Sequence, residues 1–300
     1  MFFWNRFNKI FANQNFIYMK PDFSDLKNKV CILTGGAGVL GKSMVEALAS
    51  AGVKIAILDL NGEAAENLAD KIAGDYGVEA IGLGANVLDK LSLHAAKETI
   101  IERFGRIDIL VNAAGGNSPG ATTKIEQIDP GKSDDLSEGF FGLDIESFKK
   151  VFDLNFTGTL LPTMIFSDIM VERGRGVILN ISSMNAFRPL TKIPAYSAAK
   201  SSVNNFTQWL AVHFGKTGVR VNAIAPGFFL THQNRFLLTD EKTGELTPRG
   251  KKIIASTPVG KFGQPDDLKG TLLFLLSDIS SFVNGVVLPV DGGYSAYGGV

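Results

Sequence analysis

The sequence is short of the residues that usually carry metal and redox chemistry. Its 300 residues include one cysteine, Cys31, which lies in an apolar run and reads as a small buried core residue. One cysteine excludes an intrachain disulfide and suits a reducing, cytoplasmic setting. The three histidines, His94, His213 and His232, stand far apart without ligand spacing, so no metal site is expected. Neither sign of charge predominates: thirty Lys and Arg cancel thirty Asp and Glu, which leaves no electrostatic footprint for nucleic acid. No apolar run approaches the roughly 18 residues that a membrane span needs.

What is present is a 45% apolar sequence, enough for a sizeable core. No repeat and no linker divides it, so one domain is expected over 26–300. Residues 1–25 read as an extension. Residues 1–18 are rich in aromatics around Arg6 and Lys9, but lack the apolar stretch and cleavage site of a secretory signal. An amphipathic interfacial helix is one reading of them. The preferred expectation is a start of translation at Met19, with the preceding residues an upstream extension.

From Val30 onward, strand and helix signals alternate. Apolar runs at 30–34, 54–58, 80–85, 107–111, 177–181, 219–224 and 286–290 predict strands. A helical pattern with Met44, Val45, Leu48 and Ala49 on one side follows the first strand, and others fall at about 62–76, 89–104, 145–172, 194–215 and 265–277. Seven strands with helical crossovers imply an α/β fold, a doubly wound parallel sheet of the Rossmann type covered on both faces. Two stretches near 115–142 and 226–258 exceed ordinary connections and read as insertions. Long loops at the carboxyl edge of a sheet often carry function, with 226–258 placed to close over a substrate, although plain surface insertions are the alternative.

Three local patterns point to chemistry. The turn Thr34-Gly-Gly-Ala-Gly-Val-Leu-Gly41 joins the first strand to the first helix, where glycine lets backbone N–H groups approach a pyrophosphate. Asp59 ends the second strand, eighteen residues after Gly41; a carboxylate there accepts both ribose hydroxyls and repels a 2′-phosphate. NAD is therefore expected, with NADP as the alternative cofactor, while the plainer reading of Asp59 is a helix cap. Tyr196 and Lys200, one helical turn apart, share a face just beyond the 177–181 strand. A tyrosine of ordinary pKa near 10 is a poor acid–base group at neutral pH. The neighbouring ammonium is expected to lower that pKa and make Tyr196 a proton donor. Ser183, thirteen residues earlier, is placed to hold a substrate oxygen beside it.

Together with Asn112-Ala-Ala-Gly115, Asn155 and Pro226-Gly227, these motifs resemble the short-chain dehydrogenase/reductase family in order and spacing over nearly all of 26–300. The resemblance implies that Tyr196 exchanges the proton and that Lys200 holds the nicotinamide ribose. It also implies that Ser183, rather than Ser182, orients the carbonyl, and that Asn155 anchors a water in the proton relay. The plainer reading of Asn155 is a helix asparagine bonded to nearby backbone. The implied cofactor contacts are Gly35, Gly36, Gly38, Val39, Leu40 and Gly41 in the turn, Asp59 and Leu60, Asn86 and Val87, and Asn112, Ala113, Ala114 and Gly115. Tyr196, Lys200, Pro226, Gly227, Phe229 and Thr231 complete them. Two departures stand out: Val39 occupies the position of the family's middle glycine, and Asn86-Val87 replaces an Asp-hydrophobic pair.

Further stretches, among them Ser183-Met-Asn-Ala-Phe187, Gln208-Trp-Leu-Ala-Val-His213 and Ala225-Pro-Gly-Phe-Phe-Leu-Thr231, are similar to a subgroup of fructuronate reductases or mannonate oxidoreductases. In that subgroup the shifted glycine turn is ordinary. The similarity implies reversible reduction of D-fructuronate to D-mannonate at Ser183 and Tyr196. Read from the residues themselves, Arg188 and Arg235 are candidate cations for the acid and Asn185 a candidate for its hydroxyls, each with a solvated surface side chain as the plainer reading. Lys192 is a further cation for the acid, and Asn117, His232 and Gln233 are candidates for its hydroxyls. Alternatives are a dehydrogenase of tagaturonate, a deoxygluconate or a polyol, and a non-catalytic NAD-binding sensor. The sensor is disfavoured by the intact Asn155, Ser183, Tyr196 and Lys200. In the family, the strand and tail corresponding to 286–300 commonly meet a neighbouring subunit, so a homo-tetramer or dimer is expected.

Overall fold

The computed structural model describes residues 22–132, 135–231, 235–240 and 243–299. Residues 1–18, the start expected at Met19, and His232 and Gln233 lie outside these. Among the described residues seven strands form one parallel sheet: β1 (Val30–Thr34), β2 (Lys54–Asp59), β3 (Ala80–Gly84), β4 (Ile109–Asn112), β5 (Gly176–Ile181), β6 (Val219–Pro226) and β7 (Val287–Val290). Their spatial order is β3-β2-β1-β4-β5-β6-β7. The polypeptide therefore winds outward from β1 to β3 and returns to β4 on the other side. This reversal opens a crevice at the carboxyl ends of β1 and β4, the ligand position of open α/β sheets.

The helices are α1 (Val39–Ser50), α2 (Gly62–Tyr76), α3 (Lys90–Phe104), α4 (Asp135–Glu138), α5 (Ile145–Phe152), α6 (Gly158–Phe166), α7 (Asp168–Glu172), α8 (Pro194–His213), α9 (Arg235–Leu238), α10 (Pro248–Ala255) and α11 (Lys269–Leu276). The central strands are mostly apolar because both faces are covered, with Thr34, Asn112 and Asn180 as polar exceptions. Cys31, Leu33, Ile57 and Val111 pack with α1, α2 and α11, whereas Val30, Ile32, Leu58 and Leu110 pack with α3 and α6 on the other face. Successive side chains of a strand point to opposite faces, so each strand feeds both cores. Each buried Leu or Ile contributes about 1.5–3 kcal/mol relative to exposure. Local signals set the helix ends. Asn61 caps α2 by accepting from Ala64 N at 3.1 Å, and Asp89 caps α3 by accepting from Leu91 N at 2.9 Å.

The 145–172 region is helical, as its pattern predicts, but its helix is subdivided. In place of one helical stretch it holds α5, a wider π turn over Asp153–Thr157, then α6 and α7. Pro162 lies inside α6 and cannot donate the N–H that a continuous α ladder needs. Apolar periodicity does not register such a widening. Asp25, placed in the extension by sequence, belongs to the folded body: its carboxylate accepts from Ser277 Oγ at 2.6 Å and Asp278 N at 3.0 Å.

Candidate active site

Strand β5 delivers two adjacent serines to the crevice, and they do different things. Ser182 Oγ donates to the Asn204 side chain and to the Lys200 carbonyl, fastening the strand end to α8. Ser183 Oγ accepts from Asn185 N at 3.2 Å and hydrogen-bonds Tyr196. Spacing favours Ser183 as the serine beside the tyrosine, and the geometry places it there. Pro194 occupies the first position of α8, where its missing N–H breaks no helical bond. Tyr196 and Lys200 follow on one face, with Lys200 Nζ 5.7 Å from the tyrosine ring centroid.

The ammonium of Lys200 is 3% exposed and donates to the Ile181 carbonyl at 2.7 Å. Burial lowers its pKa to about 8. Tyr196 departs from the sequence expectation: burial raises its pKa, and the Ser183 hydrogen bond opposes that rise without reversing it. The correction has a physical cause. Lys200 is itself desolvated, bonds a backbone carbonyl and lies toward the ring, so it does not offset the phenolate's loss of water. Tyr196 is therefore a held proton donor in this state.

Asn155 sits in the π turn, fully buried. Its Nδ2 donates to the Gly116 carbonyl at 2.7 Å and the Val151 carbonyl at 2.8 Å, and its Oδ1 accepts from Gly116 N at 3.3 Å. The π turn, of a kind frequent at functional sites, carries this side chain, and the Thr159 hydroxyl satisfies the Asn155 carbonyl at 3.0 Å. A Cβ at Gly115 would lie 2.7 Å from Asn155 Oδ1 and 3.3 Å from Lys200 Nζ. The absence of a side chain at Gly115 thus lets the segment after β4 pack directly against the Asn155 amide and the Lys200 ammonium.

At the glycine turn, Gly35 has φ +67°, and a Cβ there would come within 2.8 Å of Ala114 Cα. Gly38 precedes α1 without a side-chain cap, leaving the first-turn N–H groups to face the crevice, as an anion site requires. Asp59 is not a helix cap; Asn61 fills that role. Asp59 Oδ2 accepts from Ala37 N at 3.1 Å and Oδ1 from Asn61 N at 3.1 Å, so the carboxylate stands beside the turn at the end of β2. Thr34 Oγ1 accepts from Ala113 N and Ala114 N at 3.1 and 3.2 Å, tying the turn to the segment after β4. Behind it, Asn112 Nδ2 donates to Thr163 Oγ1 and Asn180 Oδ1, both at 2.9 Å, and Asn180 donates on to Thr207 Oγ1 at 2.9 Å. The sequence reading missed Thr34, Thr163, Asn180 and Thr207 as site supports. For Thr34 and Asn180 the available signal was a polar residue in an apolar strand run; Thr163 and Thr207, on α6 and α8, carried none.

A family signature described as enoyl-(acyl carrier protein) reductase matches residues 36–295. This protein belongs to the short-chain dehydrogenase/reductase family. An oxidoreductase of Bacillus subtilis, UxuB, described as uncharacterized, is 47% identical over 283 residues, which is 94% of this chain and all of the relative. A D-threitol dehydrogenase of Mycolicibacterium smegmatis is 34% identical over 90% of this chain and 94% of its own. The crystal structure of a proposed D-mannonate oxidoreductase from Haemophilus influenzae, with NAD bound, superposes with a TM-score of 0.86 at 48% identity. It covers 93% of this chain and 100% of its own.

Within this dehydrogenase/reductase the remaining sequence-assigned residues separate by location. Leu60 is 79% exposed beside Asp59. Asn86 Oδ1 accepts from Leu88 N at 3.0 Å, closing a turn, while Val87 packs where a Cβ at Gly158 would lie 2.9 Å from Val87 Cγ2. Gly227 N donates to the Val290 carbonyl at 3.0 Å after Pro226 ends β6. Phe229 is buried against Gly263 and joins the core of α1 and α11. Arg235 and Thr231 line a cavity of about 220 Å³ with Val39, at the amino end of α1. Arg188 Nη1 donates to the Tyr297 carbonyl, and Lys192 Nζ to the Lys124 carbonyl at 2.6 Å. Asn117 Nδ2 donates to Thr122 Oγ1 at 3.0 Å. Asn185, next to Ser183, is 5% exposed with no hydrogen-bond partner for its Oδ1. Pattern reading also passed over Arg249 and Lys252, which face Lys192 across a second cavity, because helix-surface cations look alike in sequence.

Proposed function

We propose that residues 26–300 act as one catalytic domain that uses NAD(H) to interconvert D-fructuronate and D-mannonate. The observation that carries this reading is the agreement of two things: the Ser183–Tyr196–Lys200–Asn155 arrangement, and 48% identity across the full length of the Haemophilus influenzae structure that holds NAD. NAD suits the turn, because the open first turn of α1 takes the pyrophosphate and Asp59 takes the adenosine ribose hydroxyls while repelling a 2′-phosphate. Gly35, Gly36, Gly38, Val39, Leu40 and Gly41 then border the pyrophosphate, and Tyr196 and Lys200 the nicotinamide ribose. When bound, the cofactor supplies or removes hydride at the sugar carbon.

The protein's own residues manage the proton and the geometry. Ser183 holds the carbonyl oxygen beside Tyr196, which donates its proton during reduction and takes one back during oxidation. Lys200 supplies positive charge at the phenol as charge develops there. Asn155, fixed to Gly116, holds the water through which that proton returns from solvent. A polyol dehydrogenase is the second reading, favoured by the D-threitol relative.

We further propose a cytoplasmic homo-oligomer, dimer or tetramer. Met164, Trp209 and Val212 expose apolar surface on α6 and α8, and among the described residues no helix is long and apolar enough to cross a membrane. Loss of the NADH absorbance band with D-fructuronate, with D-tagaturonate beside it, tests the reaction. Tyr196→Phe should cut turnover by about 10²–10⁴-fold while NADH still binds. No consumption with either acid would sink the uronate reading.

A further inference from the structure

The two insertions of this fold meet beside the loop that leads into the catalytic helix. Thr123 N donates to the Lys192 carbonyl at 3.0 Å, and Lys192 Nζ to the Lys124 carbonyl at 2.6 Å. On α10, Lys252 Nζ pairs with Glu126 at 2.5 Å. Between these contacts lies a groove of about 410 Å³, within the usual size range for small-molecule sites. Phe228 and Tyr294, in edge contact at 5.1 Å between centroids, form one wall. Leu190 and Ile193, which precede Pro194 at the head of α8, form another. Tyr196 is the third residue of that helix.

The groove holds three cations, Lys192, Arg249 and Lys252, against one carboxylate, Glu126. Lys252 is taken up by Glu126, whose pKa is lowered first by the Lys252 hydrogen bond, with Lys192 and Arg249 adding to the effect. Glu126 is thus kept ionised and neutralises its partner. Lys192 is held in place by a backbone carbonyl. Arg249 differs: among the described residues its guanidinium makes no hydrogen bond and no ion pair, and it acts on Glu126 only through charge. It stands at the second position of α10, after Pro248, on a helix start that the Thr247 side chain caps by accepting from Gly250 N at 3.1 Å.

We propose that Arg249 is the residue that recognises the carboxylate of the substrate, with Lys192 beside it, and so sets selectivity for a sugar acid over a neutral sugar. This rests on the uronate reading above. In the acyclic form of D-fructuronate, three hydroxylated carbons separate the reacting ketone from the carboxylate. The molecule must therefore be gripped at two ends: the ketone at Ser183 and Tyr196, and the acid at a cation some distance along the same cleft. The groove runs from the loop before α8, the helix that carries Tyr196, to the first turn of α10, and the acid is placed at its cationic end. The guanidinium fork matches a carboxylate with two parallel hydrogen bonds. The other sequence candidates are engaged elsewhere, Arg188 at the Tyr297 carbonyl and Arg235 in the cavity at the amino end of α1.

The test compares wild type, Arg249→Gln and Arg249→Lys on D-fructuronate against D-fructose, and on D-tagaturonate against D-tagatose, with NADH. NADH affinity is followed separately by its fluorescence. Arg249→Gln should lower the acid-over-neutral selectivity about 10- to 100-fold, through KM rather than kcat, and Arg249→Lys should restore part of it. A purely structural role would instead lower kcat on both classes and weaken NADH binding, and that outcome overturns the assignment. Retention of the full acid preference in Arg249→Gln also overturns it, leaving the uronate reading standing. A wild type that prefers the neutral ketoses, or turns over none of the four sugars, removes the uronate reading and this proposal with it.

Discussion

The part of the crevice proposed for the cofactor is made of backbone, and the groove proposed for the substrate's acid carries long side chains. At the glycine turn the working groups are N–H groups of α1, held by contacts such as Thr34 Oγ1 with Ala113 N and Ala114 N. Space is controlled by missing Cβ atoms at Gly35 and Gly115. In the groove under the two insertions, the charged groups are Lys192, Arg249, Lys252 and Glu126, all outside the sheet and three of them on the insertions. Backbone fixes a shape that a common cofactor needs. Side chains on insertions can be exchanged without disturbing the sheet, which lets one fold serve many sugars.

Changes on the two sides should therefore fail differently. The largest effect belongs to Gly35→Val. It forces a β-branched side chain into φ +67° and places its Cβ 2.8 Å from Ala114 Cα. The expected cost is about 3 kcal/mol or more, with NADH binding lost, read by thermal melting and NADH fluorescence. Wild-type melting together with full NADH affinity would show that the turn yields, and the contrast between the two sides would collapse.

Lys200→Met, at the boundary of the two sides, gives an intermediate effect and separates stability from function. The folded lysine has a pKa of about 8, against an ordinary value near 10.4 in the unfolded state. Between those values the unfolded state holds a proton that the folded protein has released, so wild-type stability rises with pH across that window. Below pH 8 the full cost of burying the charge is present. Lys200→Met should thus be inactive yet about 2 kcal/mol more stable at pH 7, with its advantage shrinking toward pH 10. Urea melts across that range check it; a stability gap that stays constant with pH would refute the buried-charge account.

Glu126→Gln should do least. Glu126 and Lys252 are both well exposed, so their ion pair contributes little to stability, and the melting temperature should move by no more than about 2 °C. Release of Lys252 should lower KM for an acidic substrate modestly. A large loss of stability would show that the insertions are structurally part of the sheet's core.

The same division decided what the sequence could reveal. The strands, the glycine turn, Asp59 and the Ser183–Tyr196–Lys200 set are written in apolar runs and fixed spacings along the sequence. The π turn around Asn155 was hidden, since it changes the backbone path without changing apolar periodicity. The rise in the Tyr196 pKa was hidden too: it depends on how much water the fold removes, which spacing to Lys200 does not encode. Arg188 and Arg249 are indistinguishable as isolated surface arginines. Only the meeting of residues 122–126 with α10 and the 189–193 loop separates the one facing the groove from the one tied to Tyr297.

Thr34, Asn112 and Asn180 stand level with one another on β1, β4 and β5. Apolar strands sliding past one another meet a similar greasy surface at every step, so greasiness alone checks their alignment weakly. These three polar residues act as a key. If β4 slipped by one residue, the Asn112 amide would turn to the other face and leave Asn180 and Thr163 without their donor in a dry interior. A misaligned sheet is thereby made costly at its centre during folding, and the strand ends that carry Ser183 and Gly115 arrive level at the crevice.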